Sequence, residues 1–205
     1  SKTKVVNKGH RLEWYKDVLP LDVKKEFNLP EDAFVVINVA NNRRMKGIPY
    51  LMKAMNMIPP RLPIHLLLIG GNMDTKANLS LIESGGYKNN VHFVGFRDDV
   101  LNIVAASDVF ASASIKGESI TKSIIEAMSL EVAPIITDIP GNVELCDHED
   151  SGLVVKMKNP KELSDAILRL YNDRALCEKL AKNAKARIGS FLNTDRSVKE
   201  MKEFY

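Results

Sequence analysis

The sequence predicts an α/β protein built on a parallel sheet of about six strands flanked by helices. Short runs rich in β-branched residues alternate six times with amphipathic helical segments, and the connections between them are short. Most positions in these runs are apolar instead of alternating with polar residues, which is typical of strands covered on both faces. A chain of 205 residues with 45% hydrophobic content is long enough to bury such a core.

Each element can be assigned from its local pattern. In the first long helix, Ile48, Leu51 and Met52 recur at helical spacing, and Pro59-Pro60 closes the segment. The predicted strands cover residues 34–39, 64–69, 91–94, 108–112, 132–137 and 152–155. The predicted helices cover residues 22–27, 47–58, 77–84, 99–106, 120–130, 160–172, 175–188 and 194–205. We expect one domain over residues 34–190, with an N-terminal segment, 1–33, packing on it and a C-terminal helix in 191–205.

Charge, composition and the absence of some motifs argue against several classes of protein. A net charge of +3 with dispersed basic residues does not indicate a nucleic-acid partner. Cys146 and Cys177 lie far apart, which favours buried thiols in a reducing compartment, and the four histidines show no metal-ligand spacing. No apolar run is long enough for a transmembrane helix, and Ser1 does not open a signal peptide. Neither a dinucleotide fingerprint nor a phosphate-binding P-loop motif occurs, which argues against a nicotinamide oxidoreductase and a P-loop ATPase.

The most informative stretch runs from Ser112 to Met128. It predicts a buried strand, a glycine-containing turn and a helix, with Glu118 in the turn and Glu126 about two turns into the helix. Eight positions at helical rise span about 12 Å. A helix N-terminus between two acids could hold a ligand with an anionic middle and hydroxyls on either side. The alternative is a capped helix with an acid at its start and another on its solvent face.

The loop after the first strand, residues 40–47, carries three cations. In a parallel sheet, ligands bind at the carboxyl ends of the strands, where this loop lies. Arg43, Arg44 and Lys46 beside a helix start suit a phosphate or pyrophosphate, because Arg can donate to two oxygens at once and Lys acts as a point charge. A solvated basic loop is the alternative.

Glycines follow the next two strands. Gly71 allows a ligand to approach the backbone closely, although Gly70-Gly71 is also a simple turn. The turn at Gly95 continues with Phe96 and Arg97, and we expect Gly71, Gly95, Phe96 and Arg97 to border a nucleobase. Alternatively, Phe96 packs in the core and Arg97 pairs with Asp98 or Asp99.

A series of motifs, in order, resembles a known family. The motifs are Asn7-Lys-Gly-His10, Val39-Ala-Asn-Asn-Arg-Arg-Met-Lys46-Gly47, Leu68-Ile-Gly-Gly71, Val91-His-Phe-Val-Gly95, Glu118-x7-Glu126-Ala-Met, Pro140-Gly-Asn-Val-Glu144 and Ser151-Gly-Leu-Val-Val155. Over about residues 3 to 190 they resemble the nucleotide-sugar-binding C-terminal domain of GT-B retaining glycosyltransferases of the group-1, family 4-like type. The resemblance implies a Rossmann-like sheet that forms one half of a GT-B fold.

The resemblance implies a role for each matching residue. Glu118 would be the catalytic-site glutamate on the sugar hydroxyls, Glu126 would hold the ribose hydroxyls, and Lys46 would contact the pyrophosphate. The family's usual Arg stands where this chain has Ala40 or Asn41, so Arg43 or Arg44 would replace it from another loop position.

The segment after Glu118 departs from the family pattern. The family commonly has Gly-Phe-Gly-x-Pro at this point, whereas this chain has Ser119-Ile120-Thr121-Lys122-Ser123. The replacements keep hydroxyls and small side chains near the amides and add a cation. We expect these five residues to border the pyrophosphate, and we expect the donor to differ from that of the commonest members.

The implied activity is transfer of a hexosyl-type sugar, with retained anomeric configuration, to a glycan or lipid-linked acceptor in polysaccharide biosynthesis. The acceptor would bind through an N-terminal domain absent from this sequence, so these residues alone should bind the nucleotide sugar without useful turnover. No cofactor or metal is expected, and the location would be the cytoplasm or the inner face of the membrane. Two alternatives remain open: a GT-B sugar-nucleotide epimerase and a non-enzymatic nucleotide-binding α/β module.

Overall fold

Six parallel strands form one sheet in the order β3-β2-β1-β4-β5-β6. The structure is a computed structural model and describes residues 10–116, 121–192, 198–199 and 202. The strands are β1 Phe34–Val39, β2 Ile64–Ile69, β3 Val91–Gly95, β4 Val109–Ser112, β5 Ala133–Thr137 and β6 Leu153–Val155. The predicted fold class is therefore confirmed, and each strand agrees with its predicted bounds to within one residue at either end.

Helices cover both faces of the sheet. They are α1 Val23–Glu26, α2 Ile48–Met55, α3 Lys76–Gly85, α4 Val100–Ala105, α5 Lys122–Ser129, α6 Asn142–Leu145, α7 Pro160–Asn172 and α8 Arg174–Phe191. Two 3₁₀ turns, Leu12–Tyr15 and Arg44–Lys46, and the four-residue α6 were not predicted, because elements this short have no readable periodicity. Of the predicted helix at 194–205, only residues 198–199 and 202 are described, and these are helical.

Each strand buries alternate residues on opposite faces. Phe34 and Val36 of β1 join one apolar cluster with α2, α3 and α7, while Val35 and Ile37 join the other with α4 and α5. Both cysteines are buried, as predicted, and burial raises the pKa of the Cys146 thiol to about 11. The core thus holds the sheet rigid between two helical layers.

The N-terminal segment lies against the second face. The Leu21 amide donates to the Asn102 carbonyl, and the His10 amide donates to the carbonyl of Leu192. The division into segments 1–33, 34–190 and 191–205 stays a prediction. None of the helices in the described part of the chain is both long and apolar enough to span a bilayer.

Candidate functional site

The strand order reverses between β1 and β4. Six registered residue pairs join β1 to β2, whereas only Val36–Val109 and Ile37–Phe110 join β1 to β4. Past that point the side chain of Asn38 bridges the two strands, with Nδ2 donating to the Ala111 carbonyl at 2.7 Å. The backbones therefore diverge toward their carboxyl ends, which creates the crevice where open α/β sheets bind ligands.

The cationic loop lies on one side of this crevice. Arg43 and Arg44 are exposed and form no ion pair with any described residue, and Lys46 is half-buried at the end of the 3₁₀ turn. The Ile115 amide, in the loop after β4, donates to the Met45 carbonyl at 2.8 Å. The structure thus fixes the predicted phosphate-binding cations beside the segment that leads to α5.

A glycine makes this contact between the two loops possible. Gly47 has a φ of 65°, and a Cβ built on it would lie 1.9 Å from the Ala113 carbonyl oxygen. Any other residue would force the loops apart, so the glycine is required by both its backbone conformation and its closeness to β4.

The helix α5 begins on the other side of the crevice. Thr121 is its N-cap in an extended conformation, and its hydroxyl donates to Asn142 Oδ1 at 3.4 Å instead of capping its own helix. The helix starts at Lys122, two residues later than predicted. Amides in the first turn of a helix can bind an anion. Ser123 lies in this first turn.

Glu126 consequently stands one turn from the start of α5, and the prediction of two turns was wrong. Its carboxylate is largely covered, with the side chain 15% exposed, and its Oε1 lies 3.0 Å from Lys122 Nζ. The residues Glu118, Ser119 and Ile120 lie outside the described residues, so their predicted roles stay predictions.

Sequence reasoning missed two neighbours of Glu126. His10 Nε2 lies 3.3 Å from Ser129 Oγ on α5, and its ring stacks on that of Tyr15. Burial lowers the pKa of His10, while the charge of Glu126 acts in the opposite direction. Burial raises the pKa of Tyr15 to about 12, with a further contribution from Glu126. The sequence signal for this contact was the motif that ends at His10, which the family resemblance includes without a role.

A pocket of about 260 Å³ opens between the loops that follow β1, β2 and β3. Its lining includes Gly71, Phe96 and Arg97, three of the four residues predicted to border a base, and the fourth, Gly95, accepts a hydrogen bond from the Gly70 amide. The pocket also contains Asn41, two residues before Arg43. It is therefore continuous with the cationic loop.

The side chains of Phe96 and Arg97 differ in their environment. Phe96 is 80% exposed, so the alternative that it packs in the core is wrong. The other part of that alternative is confirmed, because the Arg97 guanidinium binds both carboxylate oxygens of Asp99, at 2.7 and 2.8 Å. It also reaches Glu26 of α1 at 2.8 Å, and hydrogen bonding to Arg97 lowers the pKa of Asp99. An aromatic face is thus open at the pocket, next to an arginine held by the protein.

No group of three or more His, Cys, Asp or Glu side chains suited to a metal ion occurs among the described residues. The groups on the two sides of the crevice are of three kinds: cations on the loop after β1, amides at the start of α5, and the Glu126 carboxylate. A pocket with an exposed aromatic ring adjoins them. The fold is a Rossmann-type domain, and groups of these kinds at a switch point can bind an anionic, hydroxyl-bearing ligand.

Comparison with known proteins identifies the family. The family model of glycosyl transferases group 1 matches residues 22–187, and the chain belongs to this family. The predicted resemblance is therefore confirmed, and the sheet has the Rossmann-like fold found in GT-B glycosyltransferases.

Individual relatives are distant. The chain is 25% identical over 195 residues to N-acetyl-alpha-D-glucosaminyl L-malate synthase of Bacillus anthracis, an alignment that covers 95% of this chain and 50% of that protein. It is 31% identical over 152 residues to N,N'-diacetylbacillosaminyl-diphospho-undecaprenol alpha-1,3-N-acetylgalactosaminyltransferase of Campylobacter jejuni, which covers 73% and 39% of the two chains. The chain spans about half the length of the first of these relatives.

Among solved structures, HepE of Anabaena in complex with UDP and glucose superposes with a TM-score of 0.86. The match covers 98% of this chain and 56% of HepE, at 23% identity, and so demonstrates a shared fold.

Proposed function

We propose that this chain is the nucleotide-diphosphate-sugar-binding half of a retaining glycosyltransferase that transfers a hexosyl-type sugar to a glycan or lipid-linked acceptor. The observation that carries the proposal is the hydrogen bond between Ile115 and Met45, because it holds the cationic loop against the segment leading to α5. We infer that a pyrophosphate would be bound by the cations of this loop together with the amides at the start of α5, since both kinds of group bind phosphate.

The remaining parts of the ligand fit the groups on either side of the pyrophosphate. Arg43, Arg44 and Lys46 would hold the pyrophosphate together with the amides of Lys122 and Ser123. Glu126 would accept the ribose hydroxyls, since a carboxylate is an acceptor for two donors at once. The base would occupy the pocket at Phe96, where an exposed ring can stack on it.

The same groups would assist the reaction. When a sugar leaves a nucleoside diphosphate, negative charge builds on the β-phosphate. Cations and amides held in place before the reaction stabilise that charge more in the transition state than in the ground state. Glu118 would act on the sugar, and the acceptor would approach from a second domain.

The names of these relatives support the choice of substrates. Both curated relatives carry alpha-linked N-acetylhexosamine terms in their names, and HepE was crystallised with UDP and glucose. We therefore infer that UDP-sugars are the first donors to test. Retention would be checked on the full-length protein by the anomeric NMR signal of the product of an α-configured donor.

Calorimetric titration of this chain with UDP, GDP and ADP tests the donor site. We expect one of them to bind, and Glu126→Ala and Lys46→Ala should each weaken its binding about tenfold or more, because each removes a charged hydrogen bond. Arg61→Ala is the matched control, since Arg61 is exposed in the loop before β2 at the opposite edge of the sheet. Absence of binding, or binding that is insensitive to both site variants, would show that the donor-site proposal is wrong.

A further inference from the structure

Two residues of the proposed donor site are paired with each other. Lys122 Nζ lies 3.0 Å from Glu126 Oε1, across one turn of α5. The Lys122 side chain is 83% exposed and that of Glu126 15% exposed, so the lysine lies on the solvent side of the carboxylate. In this arrangement a ligand that needs Glu126 must compete with Lys122.

Two residues of the N-terminal segment also lie near Glu126. His10 packs on α5 at Ser129 and stacks on Tyr15, and both rings lie near enough to interact electrostatically with Glu126. Tyr15 is buried and His10 is half-buried, whereas Lys122 is largely exposed, so a hydroxyl that approaches the carboxylate from solvent meets Lys122.

The proposed phosphate position is within reach of the same lysine. Lys122 is the first residue of α5, and the free amides of a helix lie in its first turn. Four residues of helical rise separate Lys122 from Glu126, which is about 6 Å. A lysine has a flexible four-carbon stem and a compact charge, so its ammonium can exchange one position for the other without moving the backbone.

We propose that Lys122 is a specificity-determining residue that exchanges partners when the donor binds. In the empty site it pairs with Glu126. When a nucleoside diphosphate enters, the ribose hydroxyls take the carboxylate and the ammonium moves to the phosphates. This inference rests on the proposed function and adds a selection rule: a ligand that brings ribose without phosphates breaks the ion pair and provides no new partner for the lysine.

The rule predicts changes of opposite sign for two ligands. Lys122→Met keeps the length of the side chain and removes its charge. The variant should bind the nucleoside diphosphate about tenfold more weakly, because a charged contact to phosphate is lost. It should bind the corresponding nucleoside about two- to fivefold more tightly, because Glu126 no longer has to leave an exposed ion pair. The probes are UDP and uridine, or the GDP or ADP pair if the unmodified chain binds that one, followed by calorimetry and by NMR titration for the weaker ligand.

Lys161→Met is the matched control. Lys161 pairs with Asp165 at the same four-residue spacing, at 2.5 Å, on the exposed face of α7. This variant should leave both affinities unchanged. Thermal unfolding of both variants checks that the fold is intact, which is expected for two exposed lysines.

A second variant separates the effect of the Lys122–Glu126 ion pair from any other effect of the charge of Lys122. In a Glu126→Gln background, Lys122→Met should no longer improve nucleoside binding, since the pair is already broken. If Lys122→Met weakens the binding of both ligands, or leaves the affinity for the nucleoside unchanged, the proposed exchange of partners is wrong even though the donor site exists. If the unmodified chain binds no nucleoside diphosphate, the proposed function itself fails, and the two failures are thus distinguishable.

Discussion

The charged side chains at the two ends of the parallel strands are used in different ways. The amino edge is the side of the sheet where the strands begin, and the carboxyl edge is the side where they end. At the amino edge, Asp108 accepts a hydrogen bond from the Val35 amide at 2.7 Å and pairs with Arg174 at 2.8 Å, while Arg174 lies over the Phe34 ring. At the carboxyl edge, Arg43 and Arg44 have no ion-pair partner in the described part of the chain. The charged groups before β4 thus satisfy one another, whereas the two arginines of the loop after β1 stay available to a ligand. Arg97 and Lys122, which also lie at the carboxyl ends of the strands, are ion-paired.

The largest expected effect concerns the backbone of the carboxyl edge. Gly70 has a φ of 136°, and a Cβ at this position would lie 1.7 Å from the Ala40 carbonyl oxygen. Gly70→Ala should therefore lower the free energy of unfolding by about 3 kcal/mol or more, measured by urea denaturation. Gly71→Ala is the control, because a Cβ there meets nothing within 4 Å, and its effect should stay within about 0.5 kcal/mol. Equal effects would mean that the loops after β1 and β2 do not need their close approach.

The contribution of the amino edge to stability should depend on Asp108. Asp108→Ala leaves the buried Val35 amide without an acceptor and removes the partner of Arg174, which should cost about 2–3 kcal/mol of unfolding free energy. Asp108→Asn keeps an acceptor for the amide and should cost only about 1 kcal/mol. Nucleotide affinity of the folded variants should not change. A loss of affinity would show that the two edges are coupled.

Lowering the pH should reduce the free energy of unfolding through two histidines near the amino edge of the sheet. His65 Nδ1 and His92 Nε2 lie 3.1 Å apart near the starts of β2 and β3. Burial, with the charge of His65, lowers the pKa of His92 to about 4, and burial lowers that of His65 although Asp32 acts to raise it. In the unfolded chain a histidine binds its proton near pH 6.5, whereas in the folded chain His92 binds its proton only near pH 4. The free energy of unfolding is therefore highest above pH 6.5 and decreases as the pH falls from 6.5 toward 4.

The loss should reach about 2 kcal/mol between pH 7 and pH 4.5, measured by urea denaturation at several pH values. His92→Gln has no imidazole to protonate and should flatten this dependence. A variant that retains the full slope would assign the pH dependence to other groups.

The smallest effect on stability is expected at Arg44. Since its exposed guanidinium has no ion-pair partner among the described residues, Arg44→Ala should change the free energy of unfolding by less than about 0.5 kcal/mol. Binding of the nucleoside diphosphate should weaken about tenfold, because one charged contact to phosphate is lost. A stability loss comparable to that of Asp108→Ala would contradict the division of roles between the two edges.

Much of the architecture was predictable from the sequence. Strand 34–39 is recognisable because a run rich in β-branched residues has few other stable structures, and strand 64–69 because a short apolar run lies between Pro63 and Gly70. The helix at 160–172 begins with proline and shows clear apolar spacing. The exact start of α5 was not predictable. The helix begins after Thr121, which contacts Asn142, a residue 21 positions away, and its later start places Glu126 about half a turn closer to the start of the helix than predicted.

By itself, the sequence determined the α/β class, the order of the elements and the residue types that follow each strand, because these depend on local pattern and short connections. Only the tertiary structure decided which of those residues meet. The contacts of Arg97 with Glu26, of Asn38 with Ala111 and of His10 with Ser129 join positions 71 to 119 residues apart. Such contacts arise from strand order and helix packing, for which local patterns carry no information. The pairing of Lys122 with Glu126 was within reach of the sequence, but the packing of His10 and Tyr15 near Glu126 was not.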